Sequence, residues 1–277
     1  MKILKGSLLS FFSSGFPSHV RIKAIDLSSP DQEYFYSPFS GIVEKIEKFK
    51  IGRPNKFSKI DYDVMMLINV NGKRVKILHV EPFVSQGDEI KEGEKIGKFL
   101  ESPYTAGDFK HAHIENIRLV FPKIKYYRES TAGRVVNKAE SYFDLEVLDY
   151  SIAGNFYGLG CCGGLLNTSF PYGCYGGIIG NWDSSLNFLG FSLGFPYKVR
   201  RKNLVMFEGK KGIIRNWEKV ASFKVLSNKP ICGSSFIEVV LGYKTPPRIR
   251  VFRKSELKEG DEIELWELRK YVRDNLG

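Results

Sequence analysis

The sequence predicts a mainly β protein: a compact β-sandwich or barrel, then a second β-rich domain that ends in a helix. Short apolar runs alternate with turn residues from Tyr36 to Val120. Glycine and aromatic residues are dense from Ser151 to Pro196, as in tight turns between short strands. Helical spacing is confined to Glu264–Leu276. A chain of 277 residues suits two domains of medium size.

A hairpin is the clearest single element of the N-terminal half. Asp63–Val70 and Lys73–Val80 are apolar and alternating, and Asn71-Gly72 joins them, which is the strongest short signal for a two-residue β turn. Another strand is expected at Ile42–Ile46, because the turn residues of Ser37–Gly41 come directly before it.

The second half is expected to be a separate β-rich domain of unknown role. Phe121–Ser141 is charged and irregular and is interpreted as a connector, so the domains are placed at residues 1–140 and 141–277. On the final helix, apolar residues fall on one face: Leu265, Leu268, Val272 and Leu276. Further strands are expected at Leu204–Phe207, Ala221–Leu226, Phe236–Leu241 and Arg248–Phe252.

Composition and charge narrow the class of protein. Hydrophobic residues make up 43% of the chain and charged residues 26%, which indicates a globular protein rather than a disordered or membrane one. The net charge of +11 favours an anionic partner, such as an anionic polymer bound through a basic surface. The basic clusters are scattered and form no nucleic-acid motif, so nucleic acid is not the expected partner and solvated surface is the simpler interpretation.

The N-terminal segment and the spacing of the cysteines both favour a cytoplasmic protein. The apolar run near the N-terminus is short and no small-residue cleavage site follows before His19, so no signal peptide is predicted. No stretch reaches the ~18 apolar residues that a membrane span requires. The four cysteines lack the paired spacing of zinc ribbons and redox motifs, and are interpreted as small residues of a glycine-rich region. A cytoplasmic protein is expected.

Histidine distribution points to a site in the N-terminal half. All four histidines lie within the first 113 residues. In an extended chain, His111 and His113 project from the same face, and Glu115 follows on that face as a possible partner for one ring. Two imidazoles on one face can approach a single metal ion or substrate.

The remaining histidines fit the same interpretation. His79 ends an apolar strand, where a buried imidazole needs a partner or an opening to solvent. His19 and Asp26 flank a short apolar segment, and zinc accepts ligands of both types. A catalytic zinc ion takes three protein ligands and leaves one position for water, a requirement that two histidines and one aspartate satisfy.

These motifs resemble those of the lysostaphin-like zinc endopeptidases, which are built on a duplicated hybrid motif barrel and cleave peptide bridges in bacterial cell walls. The resemblance covers about residues 15–120. The matching motifs are the pair His19…Asp26, the strand end Ile77-Leu-His79-Val, the strand His111-Ala-His113-Ile-Glu115, the segment Ser37-Pro-Phe-Ser-Gly-Ile-Val43, and the hairpin Val84-Ser-Gln-Gly-Asp-Glu-Ile-Lys-Glu-Gly-Glu-Lys-Ile-Gly97.

The resemblance implies a zinc-dependent hydrolase, most directly a metalloendopeptidase acting on a peptide or peptide-like substrate. It implies zinc ligands at His19, Asp26 and His113, with His79 and His111 polarising the attacking water or stabilising the oxyanion. The sequence departs from the family pattern in one interval. Six residues separate His19 from Asp26 and none is glycine, whereas the family has a shorter interval with a glycine inside, so a displaced first loop is expected.

Two alternatives remain open at this level. The same barrel can serve as a non-catalytic module that binds metal or a partner, an interpretation favoured by the altered interval and the basic surface. A related barrel in sugar-phosphotransfer proteins carries a phosphate-accepting histidine in an apolar strand, and His79 occupies a comparable place.

Overall fold

A computed structural model describes residues 1–12, 17–51, 57–170, 175–200, 203–209, 211 and 237–273. Over these residues the fold is mainly β, as the sequence predicts. Contacts divide the chain into two units: the first holds the described residues of Met1–Leu9 and Ser18–Leu119, and the second those of Ser10–Pro17, Val120–Phe223 and Lys229–Gly277. No helix in the described ranges has the length and apolar character needed to span a membrane.

Two antiparallel sheets form the first unit. One runs in the order β8, β4, β5, β6, β10, β2, and the other in the order β3, β9, β7. The elements up to Glu115 are β1 (Leu8–Ser10), α1 (Pro17–Val20), β2 (Ala24–Leu27), β3 (Tyr34–Tyr36), β4 (Gly41–Lys50), β5 (Tyr62–Val70), β6 (Lys73–Leu78), β7 (Val80–Pro82), β8 (Glu89–Ile90), β9 (Lys95–Phe99) and β10 (Ala112–Glu115).

The predicted hairpin is confirmed. β5 and β6 pair from Val70 opposite Lys73 through to Met65 opposite Leu78. Both turn residues between them have positive φ, as a two-residue turn of this kind requires. Alternate side chains of β5 share one face and are buried: Val64, Met66 and Ile68. The hairpin therefore contributes one wall of the apolar interior and ends beside His79.

The second unit is also built from antiparallel pairs. A long run of pairing follows the order β24, β12, β13, β23, β22, β16, β17, β21, β20, while β11, β14 and β15 extend from β16 and β22. Its strands are β11 (Ile124–Tyr126), β12 (Ala132–Lys138), β13 (Phe143–Val147), β14 (Ser151–Ala153), β15 (Phe156–Cys161), β16 (Gly164–Phe170), β17 (Tyr175–Ile179), β18 (Asn187–Phe188), β19 (Phe191–Ser192), β20 (Phe195–Arg200), β21 (Leu204–Glu208), β22 (Ile237–Tyr243), β23 (Arg248–Val251) and β24 (Glu262–Glu264).

The predicted C-terminal helix is confirmed as far as the described residues extend, to Arg273. A 3₁₀ turn at Leu265–Leu268 runs directly into α2 (Arg269–Arg273). Three of the four residues predicted to share its apolar face are buried in the core of the second unit: Leu265, Leu268 and Val272. The fourth, Leu276, and the strand predicted at Ala221–Leu226 lie outside the described residues.

Two expectations for the second half are wrong. The supposed connector contains β11 and β12, and β12 is a sheet strand paired on both sides. Arg250 of β23 is not a solvated basic residue: it is buried and donates to Asp144 at 2.7 Å, while the partly exposed Arg248 contacts Glu146 at 3.0 Å. The sequence identified the two arginines as basic residues but did not indicate that Glu146 and Asp144 pair with them. The division into domains 1–140 and 141–277 stays a prediction.

Candidate functional site

Strand pairing in the first unit brings the predicted site residues together. β10 lies between β2 and β6. His113 of β10 is directly opposite Asp26 of β2 on one side and opposite Leu78 of β6 on the other. Opposed residues of neighbouring strands have side chains within contact distance, so this register sets His113 beside Asp26 and next to His79, the residue that follows Leu78.

Three ligand-type atoms form a compact triangle. His19 Nε2 lies 3.1 Å from Asp26 Oδ1 and 3.0 Å from His113 Nδ1, and the third side, from His113 Nδ1 to Asp26 Oδ1, is 2.7 Å. All three side chains are buried. This cluster could hold a metal ion.

The triangle has the right size for a small divalent cation. A circle through its three corners has a radius of about 1.7 Å, shorter than the ~2.0–2.2 Å bonds that zinc makes to imidazole nitrogen and carboxylate oxygen. One ion can therefore bond all three atoms. The second carboxylate oxygen of Asp26, Oδ2, is buried and has no hydrogen-bond partner among the described residues. A buried oxygen without a partner is costly, and a cation beside the carboxylate would reduce that cost.

His19 reaches the cluster despite the unusual interval. It lies on the short helix α1, and its carbonyl accepts the backbone N–H of Ile22 at 2.8 Å, while Ser18 O accepts that of Lys23 at 2.9 Å. These bonds close a turn in which Ile22 has φ of 58°. A β-branched residue seldom adopts this conformation, which glycine adopts without strain. The turn therefore brings His19 to Asp26 and His113 across the longer interval, with Ile22 adopting its conformation at some cost in strain.

Electrostatics within the cluster favour a charged carboxylate. Burial opposes ionisation of Asp26, but the neighbouring His19 and His111 and hydrogen bonds from His113 and His19 hold the pKa of its carboxyl well below the usual range. Burial also opposes the charged form of His113, yet the two carboxylates beside it, Asp26 and Glu115, raise its pKa to about 9. In the metal-free protein His113 is therefore protonated at neutral pH.

Glu115 orients the ring of His113 from the side away from the cluster. Its Oε1 lies 3.0 Å from His113 Nε2, and its Oε2 lies 2.7 Å from Lys76 Nζ. Burial opposes ionisation, but hydrogen bonds from His113 and Lys76 lower the pKa of Glu115 to about 2. An acceptor at Nε2 fixes a proton there and turns Nδ1 toward the metal position. Ser18 Oγ also contacts Nε2, at 3.2 Å.

His111 faces the cluster without belonging to the triangle. Its Nε2 is 3.8 Å from Asp26 Oδ1, and its Nδ1 donates to the carbonyl of Phe109 at 2.6 Å. Burial lowers the pKa of His111, although Asp26 works in the opposite direction. A neutral ring with its proton on Nδ1 presents the lone pair of Nε2 to the site, which is the arrangement of a proton acceptor.

His79 is held by a buried aspartate that the sequence interpretation missed. Its Nδ1 lies 2.5 Å from Asp63 Oδ2, and Asp63 Oδ1 also accepts the backbone N–H of His79 at 3.1 Å. The ring centroid of His79 is 5.7 Å from that of His111 and 5.9 Å from that of His113. Asp63 therefore places the Nδ1 proton and leaves Nε2 as the free nitrogen of His79.

The structure thus brings all five predicted site residues into one cluster, places the predicted partner Glu115 beside His113, and adds Asp63 and Ser18 around them. The sequence held no signal for Asp63. Counted outward from the turn, the register sets Val64 opposite His79 and Asp63 on the other face, and the positive φ of His79 interrupts this alternation. The approach of Ser18 carried no signal either, because it depends on the turn that contains Ile22.

The chain is similar to a protein family over its N-terminal half. Residues 3–132 match the model of a family described as the N-terminal domain of a domain of unknown function, DUF8155. The whole histidine cluster lies inside this range. Comparison with curated proteins and with solved structures gave no match.

Proposed function

We propose that the chain is a zinc-dependent hydrolase, a metalloendopeptidase that cleaves peptide bonds in a peptide or peptide-like substrate. The observation that carries this proposal is the triangle of His19, Asp26 and His113, with two further imidazoles, of His79 and His111, facing it. Three protein ligands with an open position are typical of catalytic zinc, whereas structural zinc sites have four. The resemblance to lysostaphin-like endopeptidases supports the same reaction class.

Each side chain has a role that follows from its contacts. His19 Nε2, Asp26 Oδ1 and His113 Nδ1 are the ligand atoms. Zinc held there would lower the pKa of its water to ~7 and polarise a substrate carbonyl. His111 is neutral, with its proton fixed on Nδ1, so its Nε2 can accept a proton. Asp63 holds the Nδ1 proton of His79, so its Nε2 can take up a proton and then donate it to developing negative charge or to the leaving amine.

Metal content is the first test. Protein purified with zinc present, dialysed and analysed by mass spectrometry of the metal is expected to contain about one zinc per chain, as a single three-ligand site requires. His113→Ala should lose the metal, because it removes one of three ligands. His111→Ala is the matched control: it removes a neighbouring imidazole that is not a ligand, and should retain the zinc. A zinc-free wild type would overturn the proposal.

Turnover is the second test. Zinc-loaded protein would be incubated with diverse peptide libraries, and new termini would be identified by mass spectrometry. His79→Ala and His111→Ala should lose cleavage while retaining zinc, because they remove proton-transferring groups and leave the ligands intact. Cleavage that survives in both zinc-loaded variants would remove the assigned roles.

One observation favours a second function, a non-catalytic module that binds metal or a partner. The ligands and His79 are almost fully buried, with exposures of 0% for His19, 1% for His79 and 1% for His113. Of the five site residues, His111 is the most exposed, with 13% of its side chain accessible. A polypeptide substrate needs more access than that. Stoichiometric zinc without turnover in any peptide library would favour the binding module and exclude the peptidase.

A further inference from the structure

A pair of adjacent thiols in the second unit has an unusual geometry. β15 ends at Cys161, the chain turns through Cys162 and Gly163, and β16 begins at Gly164. The two Sγ atoms are 3.1 Å apart, and each lies 3.2 Å from the carbonyl oxygen of Asn187. Both thiols are free and buried. Successive residues of an extended strand point to opposite faces, so this contact requires a special backbone.

The backbone of the turn holds the thiols together. Cys162 has φ of 56° and Gly163 has φ of 82°, the conformation of a two-residue hairpin turn. A Cβ at Gly163 would lie 2.9 Å from the backbone nitrogen of Asp183, so only glycine fits. That nitrogen donates to the carbonyl of Cys162 at 3.2 Å. The left-handed conformation of Cys162 turns its thiol back toward Cys161.

The two sulfurs differ in acidity. The hydrogen bond that Cys161 donates lowers the pKa of the Cys162 thiol to about 7, although burial works against it. The same bond, together with burial, raises the pKa of Cys161 above its ordinary value. Near neutral pH the pair therefore holds one thiol, on Cys161, against a partly formed thiolate on Cys162. Thiolates are the nucleophilic and oxidisable form of cysteine.

We propose that Cys161 and Cys162 form a modification site at which a hydroperoxide produces a disulfide between adjacent residues. The Cys162 thiolate attacks the peroxide oxygen, so the O–O bond breaks and Cys162 becomes a sulfenic acid as hydroxide or alkoxide leaves. The Cys161 sulfur then attacks Cys162 Sγ, its proton goes to the departing oxygen, and water is released as the S–S bond forms. The sulfurs lose two electrons in total and the peroxide gains them.

The burial of the two thiols determines which oxidant can reach them, and the short distance between adjacent Cα atoms determines how readily the disulfide is reduced. Cys161 is 2% exposed and Cys162 4%, which favours a small oxidant over a protein disulfide. Adjacent Cα atoms are ~3.8 Å apart, closer than the ~4.4–6.8 Å of ordinary disulfides. The ring is therefore strained, and strained disulfides are the ones that thiols reduce readily. The modification is reversible.

The experiment uses the full chain with Cys174→Ser and Cys232→Ser, so that only the pair reacts. After hydrogen peroxide treatment and alkylation, intact mass should show loss of two hydrogen atoms and no alkylation, and dithiothreitol should restore two alkylated thiols. A chain that keeps both thiols after treatment with excess peroxide would overturn the proposal.

Single substitutions test the direction of the reaction. With Cys161→Ser, the sulfenic acid has no thiol to resolve it, so dimedone should label Cys162. With Cys162→Ser, burial keeps the remaining Cys161 in its thiol form, so it should stay unlabelled. Thermal melting of both variants would verify that each is folded. Equal labelling of the two folded variants would refute the assignment of Cys162 as the attacking sulfur.

Discussion

Zinc binding should be coupled to loss of a proton from His113. In the metal-free protein, the carboxylates of Asp26 and Glu115 raise the pKa of His113 to about 9. The ring therefore carries protons on both nitrogens at pH 7, whereas a metal bond needs the lone pair of Nδ1. Asp26 contributes no proton, because its pKa is held well below the usual range. Binding at pH 7 must therefore expel the Nδ1 proton of His113.

The loss of zinc affinity at pH 7 follows from the difference between that pH and the pKa of His113. Two pH units separate neutral pH from a pKa of about 9, so this proton alone weakens the apparent zinc affinity about 100-fold at pH 7 relative to its plateau, or about tenfold per pH unit. The assay is competition against a chromophoric chelator from pH 6.5 to 8.5, together with direct measurement of protons released on adding zinc at pH 7.

A substitution at the outer carboxylate isolates the contribution of His113. Glu115→Gln keeps an acceptor for Nε2 but removes one of the charges that raise the pKa of His113, so fewer protons should be released and the pH slope above pH 7 should flatten. Glu44→Gln is the matched control, since Glu44 is paired with Arg74 on other strands. An affinity that is flat from pH 7 to 8.5 in the wild type would refute the reasoning.

The stability of the metal-free protein should fall as pH rises, whereas its affinity for zinc should rise. The pKa of His113 in the folded chain is raised above the ordinary 6.5, so its charged form stabilises the fold fully below pH 6.5. That contribution, on the order of 3 kcal/mol for a buried group, is lost as pH rises through about 9. Urea unfolding of metal-free and zinc-loaded protein from pH 6.5 to 9 should therefore diverge, because zinc binding strengthens over the same range.

Three further predictions concern single side chains. Asp63→Asn should retain zinc yet reduce turnover about tenfold or more, because it disturbs the Nδ1 proton that orients His79; metal content and initial rates measure the two effects separately. Gly160→Ala would place a Cβ 1.8 Å from a backbone carbonyl oxygen and should cost at least about 1–3 kcal/mol in urea unfolding. Arg250→Met leaves Asp144 buried without its cation and should cost about 3–5 kcal/mol, which thermal melting would detect.

Sequence alone anticipated the local features of the fold and the members of the cluster. The Asn71-Gly72 turn and the alternation on its flanks specified the hairpin, because turn geometry and side-chain period are local properties. The His111-Ala-His113 spacing likewise set both rings toward Asp26. The cluster residues that lie elsewhere in the chain reach the site through strand pairing and the turn at Ile22, which the sequence did not specify.

The features that the sequence did not predict depend on contacts between residues far apart in the chain. Strands β11 and β12 were hidden because their segment is charged, yet β12 gains its hydrogen bonds from strands on either side. The acid that pairs with Arg250 lies 106 residues away, a separation over which no periodicity operates. The contact between Cys161 and Cys162 depends on the positive φ of the second cysteine, which the glycine-rich composition did not reveal.

The turn that contains Ile22 bears on how such sites can be recognised in other chains. A search pattern that requires a short interval with a glycine between the first histidine and the aspartate would pass over this protein, although His19 and Asp26 meet at 3.1 Å. Strand pairing sets Asp26 opposite His113, while His19 arrives from the short helix before the turn. In this chain the strand register therefore positions two members of the cluster, and the turn at Ile22 positions the third.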